Sequence, residues 1–212
     1  MIKILLVDDH AMFRKGVITV LTELIGADIE FHEAEDGQQA MNMAADSEFN
    51  LVLLDLSLPD QSGMNILSFF KQHYPKLPVI ILSTHPEEHY AVRALRSGAA
   101  GYVNKRSSST ELKDAIEKAL SNRRYINPIQ AEMLAAAVFD KNEYGQVHEA
   151  LSDRELQVAC MLTAGKTLTN LAKELSISVQ TASSYRSRVL IKLNLKTTAE
   201  IINYCIQHNL SV

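Results

Sequence analysis

Cysteine is scarce: the 212 residues hold two, Cys160 and Cys205, and neither has a CxxC partner. Both fall in helical-looking segments, so they read as buried thiols of a reducing compartment and argue against a disulfide framework or thiolate metal site. Long apolar runs are missing too. No stretch approaches the ~20 residues of a membrane span. The opening MIKILLVDDH reaches acidic residues after seven positions, without the basic start and long apolar core of a signal peptide. A soluble, cytoplasmic protein is expected, with no membrane partner. Internal repeats and low-complexity tracts are also lacking.

What is there is ordinary globular material, 47% apolar and 22% charged, in a length comfortable for two small domains. The formal charge of −4 is unevenly spread. Residues 150–212 hold seven Lys and Arg against four Asp and Glu, a charge of +3, which leaves −7 on residues 1–149. An acidic front and a basic back suggest two domains with different partners, the second suited to a polyanion.

Up to residue 121, short apolar runs alternate with helical patterns. IKILLV (2–7), DIEFHEA (28–34), LVLL (51–54), PVIIL (78–82) and GYVN (101–104) read as strands. Amphipathic stretches begin near Ala11, Asp36, Ser62, Pro86 and Ser108. Near-continuous apolar strands, each followed by a helix, imply a parallel sheet covered on both faces, a doubly wound α/β domain. Ser108-Ser109-Thr110-Glu111 has the form of a capping box, and Asp36-Gly37-Gln38-Gln39 a looser one. Segment 122–149 reads as a linker, helical in its first half (Pro128, then AEMLAAAVF) and mobile in its second (DKNEYGQVHE). A small all-helical domain follows over 150–212. Ser152-Asp153-Arg154-Glu155 is a capping box there, and Leu151 can staple onto Leu156. Further helical segments cover Leu168–Leu175, Val179–Leu193 and Thr198–Asn209.

In a doubly wound sheet, ligands collect beyond the carboxyl ends of the strands. The first strand ends in Asp8-Asp9, the third in Asp55, the fourth in Ser83-Thr84 and the fifth in Lys105. Three carboxylates on one rim repel unless something compensates them. Mg²⁺ does so, as a hard cation that takes a few carboxylate oxygens and keeps its waters. A metal, an accessible carboxylate and a nearby ammonium suit phosphoryl transfer onto an aspartate. In this scheme Asp55 is the nucleophile and Asp8 and Asp9 hold the metal, directly or through water. Lys105 pairs with the phosphoryl group, and Ser83 donates a hydrogen bond to it. The plainer alternative is that each acid caps a following helix. It explains any one of them but not the matched set.

VDDH at 7–10, LLDLSLPDQSG at 53–63, LST at 82–84 and GAAGYVNK at 98–105 resemble, in order and spacing, the receiver domain of bacterial two-component response regulators. The resemblance covers residues 1–121. It implies a flavodoxin-like, five-stranded sheet of order 2-1-3-4-5 and phosphorylation of Asp55 by a sensor histidine kinase. It further implies Mg²⁺ bound by Asp9, Asp55 and the backbone carbonyl of Ser57, with Asp8 acting through water. On phosphorylation, Ser83 would move toward the phosphoryl group and Tyr102 would turn inward. The chain departs from the family at Arg106, which follows Lys105 where proline is common. His85 and Ser57 occupy positions that tune phosphoryl lifetime in such domains.

In the tail, Leu168, Leu171, Ala172 and Leu175 form one apolar stripe, and Ser176-Ile177-Ser178 a tight turn with Ser178 as the next cap. In the following helix Val179, Ala182, Tyr185, Val189 and Leu193 make an inward stripe. Gln180, Ser183, Ser184, Ser187 and Arg188 face outward, with Arg186 and Lys192 flanking. Helix, turn and helix with a polar, basic outer face is the pattern of a helix-turn-helix, whose second helix enters the major groove. A three-helix packing module with a solvated face is the bland alternative. The stretch from LSDRE at 151 through LAKELSIS to KLNLKTTAE resembles the LuxR-type helix-turn-helix over its full length. The chain departs from its relatives at the positions that commonly read bases, so specificity is expected to lean on Gln180, Arg186 and Arg188. The resemblance makes Thr181, Tyr185 and Lys192 candidates for phosphate contacts, and Ser183, Ser184 and Ser187 stand where relatives commonly read bases. The outer part of the last helix would pair two domains on a two-fold site.

The whole chain is thus expected to be a phosphorylation-controlled transcription factor of the NarL/FixJ type and not an enzyme. Its expected partners are a histidine kinase, promoter DNA and a second copy of itself. Two rivals are weaker. A Mg²⁺-dependent phosphohydrolase would usually carry an acid two residues past its nucleophile, and that residue is Ser57. A receiver kept only as a constitutive dimerisation module would usually have lost part of the set Asp8, Asp9, Asp55, Ser83 and Lys105.

Overall fold

The computed structural model describes residues 1–26, 28–84, 87–139, 150–208 and 210. His85, Pro86, the polar half of the expected linker (140–149) and Asn209 lie outside the described residues. Two compact units divide the chain, Met1–Phe139 and Asp140–Val212.

Five strands form the centre of the first unit: β1 Ile2–Val7, β2 Ile29–Ala34, β3 Leu51–Asp55, β4 Val79–Ser83 and β5 Gly101–Asn104. All adjacent pairs run parallel, in the order β2-β1-β3-β4-β5. The expected order is the one found. Parallel strands need crossovers, and α1 Ala11–Ile25, α2 Gly37–Asp46, α3 Gly63–His73, α4 Glu87–Arg96 and α5 Ser109–Leu120 supply or follow them. One face of the sheet, with Ile4, Leu6, Leu51, Leu53, Ile80, Leu82 and Val103, packs on Val17 and Leu21 of α1 and Leu112, Ala115 and Ile116 of α5. The alternate residues Leu5, Val7, Val52, Leu54, Ile81 and Tyr102 are fully buried as well. Burial on both faces is why these strands read as unbroken apolar runs. Leu51 to Leu54 are each completely buried, and contribute about 1.5–3 kcal/mol apiece. That is enough to carry one awkward charge at the strand end.

The caps hold partly as expected. Asp36 accepts from Gln39 N, while the Gln39 side chain reaches back to Glu35 N rather than to the cap itself. Ser108 accepts from Glu111 N, but the Glu111 carboxylate takes the Tyr125 hydroxyl at 3.0 Å, so that box is only half closed.

Helix α6, Pro128–Phe139, packs on α4. The helical half of the expected linker is therefore part of the first unit. The segment leading into it is tied down too, because Tyr125 is buried and its N–H donates to Ala100 O at 2.7 Å.

The second unit holds α7 Asp153–Thr163, α8 Leu168–Glu174, α9 Val179–Lys192 and α10 Thr198–Gln207, with no strand among its described residues. The capping box is closed in both directions: Ser152 Oγ accepts from Glu155 N, and Glu155 Oε2 accepts from Ser152 N at 2.7 Å. Leu151 and Leu156 are both buried, as a hydrophobic staple requires. Ser176 turns the chain with φ of 54°, and Ser178 then caps α9 through Thr181 N at 3.0 Å. Cys160 and Cys205 are free and buried; burial pushes the Cys160 thiol up to about 12. Among the described residues no helix is long and apolar enough to cross a membrane.

Candidate functional site

Register decides which side chains meet. Val7 pairs with Leu54, Asp55 with Leu82, and Ser83 with Asn104, so the ends of β1, β3, β4 and β5 share one rim. The chain runs from β1 outward to β2 and from β3 outward to β4, in opposite directions along the sheet, so the crevice of a doubly wound sheet opens between the ends of β1 and β3. Asp8 and Asp55 stand there, 1% and 2% exposed.

Lys105 reaches both carboxylates, with Nζ 2.6 Å from Asp8 Oδ2 and 2.8 Å from Asp55 Oδ2. Its ammonium lies 4.6 Å from the centre of the Phe13 ring, and its backbone N–H donates to Ser83 O at 2.8 Å. The chain just past β5 is thereby fixed to the end of β4. Burial pushes the Asp55 carboxyl above its ordinary range, and the Asp8 charge pushes the same way. Lys105 and the Ser57 N–H oppose that shift without cancelling it. One ammonium between two buried carboxylates leaves an excess of negative charge. Asp8 Oδ2 is close to Lys105 but not aligned with any donor, so this buried oxygen has a counter-charge and no hydrogen bond.

Asp9 is more exposed, and together with Asp8, His10 and Asp55 offers ligand atoms within 4.8 Å of one another. The donor set is mainly hard carboxylate oxygen, and the buried Asp8 Oδ2 is paired in charge but accepts no hydrogen bond. These residues fit Mg²⁺.

The loop after β3 is braced from two sides. Gly63 opens α3 so close to β3 that a Cβ would sit 2.3 Å from Asp55 O, which leaves room for no other residue. Asp60 accepts from Gly37 N and Gln38 N at 3.0 Å each, at the start of α2. Those N–H bonds outweigh burial and hold the Asp60 carboxyl below the usual range. Ser83 and Tyr102 are both completely buried.

In the second unit α9 turns Ala182, Val189 and Leu193 inward. Gln180, Thr181, Ser184, Ser187 and Arg188 are exposed, while Ser183, Tyr185 and Arg186 are half-buried. The serine hydroxyls donate to carbonyls one turn back, Ser184 to Gln180 and Ser187 to Ser183, each at 3.0 Å. Their oxygens are left as outward-facing acceptors. The Arg188 guanidinium sits 5.7 Å from the Tyr185 ring centre.

Residues 4–117 match the response regulator receiver domain, and residues 149–205 the luxR family of bacterial regulatory proteins. The chain belongs to the response regulators. Over 210 residues it is 30% identical to response regulator UvrY of Escherichia coli, covering 99% of this chain and 96% of that protein. Response regulator GacA of Pseudomonas aeruginosa is 28% identical, with 99% and 98% covered. A solved structure of RcsB from Salmonella enterica serovar Typhimurium superposes with a TM-score of 0.60 at 24% identity, over 96% of this chain and 97% of that one, which shows a shared fold.

One side chain of this response regulator is not where the sequence puts it: Val179, expected inward, is 47% exposed at the first position of α9. Lys192, expected at a phosphate, bonds Glu155 Oε2 at 2.6 Å and Ala150 O at 3.1 Å. Glu155 is buried at the start of α7, and Lys192 is its counter-ion. Sequence reasoning also missed Arg14, a buried residue of α1. Its Nη1 donates to Asp8 O at 2.6 Å, while Nε and Nη2 bind Glu33 and Glu35 at 2.7 and 2.8 Å. His10 was passed over as well; its Nδ1 lies 2.7 Å from Asp9 Oδ1. A His directly after two acids was the one available signal.

Proposed function

We propose that this response regulator accepts a phosphoryl group on Asp55 from a sensor histidine kinase and thereby changes its dimerisation and its binding to promoter DNA. The observation that carries the reading is the Lys105 ammonium bridging buried Asp8 and Asp55 at the rim of the sheet. Asp8, Asp9, Asp55 and the Ser57 carbonyl are the residues to hold Mg²⁺. Bound there, the metal offsets negative charge on the phosphoryl oxygens and lets the crowded carboxylates stay ionised. A carboxylate oxygen of Asp55 attacks phosphorus, the donor's P–N bond breaks, and the freed histidine nitrogen leaves with its electron pair. Lys105 then turns from the carboxylate to the new phosphoryl group, with Ser83 as hydroxyl donor and Tyr102 packed behind it. Regulation rather than turnover is supported by Ser57, which has no carboxylate to activate water and whose N–H is engaged by Asp55.

In the second unit Gln180, Arg186 and Arg188 are proposed to read bases, and Thr181 and Tyr185 to meet phosphates. Ser183, Ser184 and Ser187 allow close approach, with their hydroxyl oxygens facing the groove. RcsB, which shares the fold, has been solved bound to promoter DNA in the presence of a phosphomimetic. A cytoplasmic regulator acting as a phosphorylation-favoured homodimer follows from this reading. The test is Asp55→Asn in the full chain, with acetyl phosphate and Mg²⁺ as donor. Phosphoryl incorporation by intact mass should vanish, and donor-dependent enrichment of genomic DNA fragments should go with it. Undiminished enrichment by the variant would sink the switch while leaving the DNA reading intact.

A further inference from the structure

Gln130 is a polar residue near the start of α6, yet it is completely buried. Its amide is fully engaged. One Nε2 proton goes to the Tyr102 carbonyl at 2.8 Å and the other to Glu87 Oε2 at 3.2 Å. Its Oε1 accepts from Asn127 N at 3.3 Å, while Asn127 Oδ1 accepts from Gln130 N at 2.8 Å. That reciprocal pair is a capping box with asparagine and glutamine, and Pro128 occupies the first helical position, where no N–H is needed. Asn127 Nδ2 adds a second bond to Glu87 Oε2 at 2.9 Å.

The two anchors of this cap belong to the strand and helix that flank the pocket. Tyr102 lies in β5, three positions before Lys105, and Glu87 opens α4, four positions after Ser83. A single buried amide therefore grips both the β5 end that carries Lys105 and the helix that follows Ser83. A planar amide with two protons at fixed angles ties β5 to α4 within the reach of the Glu87 side chain. If phosphorylation shifts β5 and α4 apart by more than that side chain can follow, one of the bonds lengthens. A buried donor or acceptor is then left short of its partner.

We propose that Gln130 is a positioning residue that couples the Asp55 pocket to α6, the helix through which the chain continues toward the DNA-binding unit. The inference rests on phosphorylation of Asp55 as proposed above. Phosphorylation loosens the Gln130 grip and frees the start of α6; the unphosphorylated arrangement holds it closed.

The test is hydrogen–deuterium exchange of the full chain over 128–139, with and without acetyl phosphate and Mg²⁺, alongside intact mass for the phosphoryl content. In the natural protein, exchange at the start of α6 should rise about tenfold, the scale of losing one buried hydrogen bond to a charged partner. Gln130→Leu keeps the bulk and removes both donors. It should exchange rapidly in α6 with or without donor, while incorporating as much phosphoryl group as the natural chain. Glu87→Ala leaves the Gln130 amide nitrogen donating only to Tyr102 O and should show an intermediate response, and it carries the test if Gln130→Leu does not fold. A natural chain that takes up the phosphoryl group with α6 unchanged would overturn the coupling. So would a full donor response in both variants with only a lowered melting temperature, which is what a purely structural cap gives. Absence of incorporation in the natural chain is a different result, and it removes the phosphorylation reading on which the coupling rests.

Discussion

Each unit buries a carboxylate against a lysine, and the two are built in opposite ways. In the first unit Asp55 faces Lys105 at 2.8 Å, shares that lysine with Asp8, and is pushed above the ordinary carboxyl range. In the second Glu155 faces Lys192 at 2.6 Å, and Ser152 supplies further donors through its N–H and hydroxyl. Burial raises the Glu155 carboxyl, but Lys192 and Ser152 outweigh it and hold it low. The same pair of residue types therefore serves two purposes. A carboxylate that only holds a helix in place is saturated with donors. One proposed to accept a metal and a phosphoryl group is left short of them.

The largest effect should come from Lys105→Met. It strands two buried carboxylates, and breaking a buried pair from one side costs about 3–5 kcal/mol. Urea unfolding of the full chain should show this loss in the first unit only. If the loss matches that of Lys192→Met, the contrast between the two pairs is wrong. Next is the metal. At a hundredfold excess over its Kd, Mg²⁺ should stabilise the first unit by about 2.7 kcal/mol and leave the second unmoved. Equal shifts in both transitions would point to a non-specific salt effect.

Glu155→Ala removes half the capping box and the partner of Lys192. It should destabilise the second unit by about 1–3 kcal/mol, read from the same urea curves. Glu155 also sets a pH dependence. Its folded value is depressed, so its contribution is complete above the unfolded carboxyl value of about 4.3 and is lost as pH falls through the lower folded value. Asp55→Asn is the smallest and has the opposite sign. Its folded value is raised, so the unmetallated first unit is favoured at low pH and loses that advantage as pH rises above about 3.9 through the folded value. The neutral isostere should therefore stabilise the metal-free first unit near pH 7, with the gain shrinking toward pH 4. Thermal melts in a chelator at both pH values check it; a destabilised variant would mean that the Lys105 pair outweighs desolvation.

Much of the pocket was legible because of how a parallel sheet is written. LVLL followed by Asp55 is conspicuous, since apolar strands buried on both faces leave no polar residue until the chain exits the sheet. Asp8, Asp9, Ser83 and Lys105 stand out for the same reason. Arg14 and Gln130 did not, because a polar residue on a helix pattern looks solvated until its partners are known. Glu33 and Glu35 lie on and just past β2, while Glu87 and Tyr102 come from α4 and β5, all distant in sequence from the side chains that bind them. The Lys192–Glu155 pair was illegible for a related reason: only the approach of α7 brings Glu155 to that lysine.

Local patterning alone thus determined the strands, the helices with most of their caps, the strand-end acids and the polar stripe of α9. These follow from period, capping chemistry and burial, which act within a few residues. Tertiary structure alone decided which charges share a counter-ion and which buried polar atoms lack one. It also decided that α6 is anchored by a buried glutamine. Those are properties of distances between elements remote in sequence, and in a low-dielectric interior a few ångströms decide whether a carboxylate is quiet or poised.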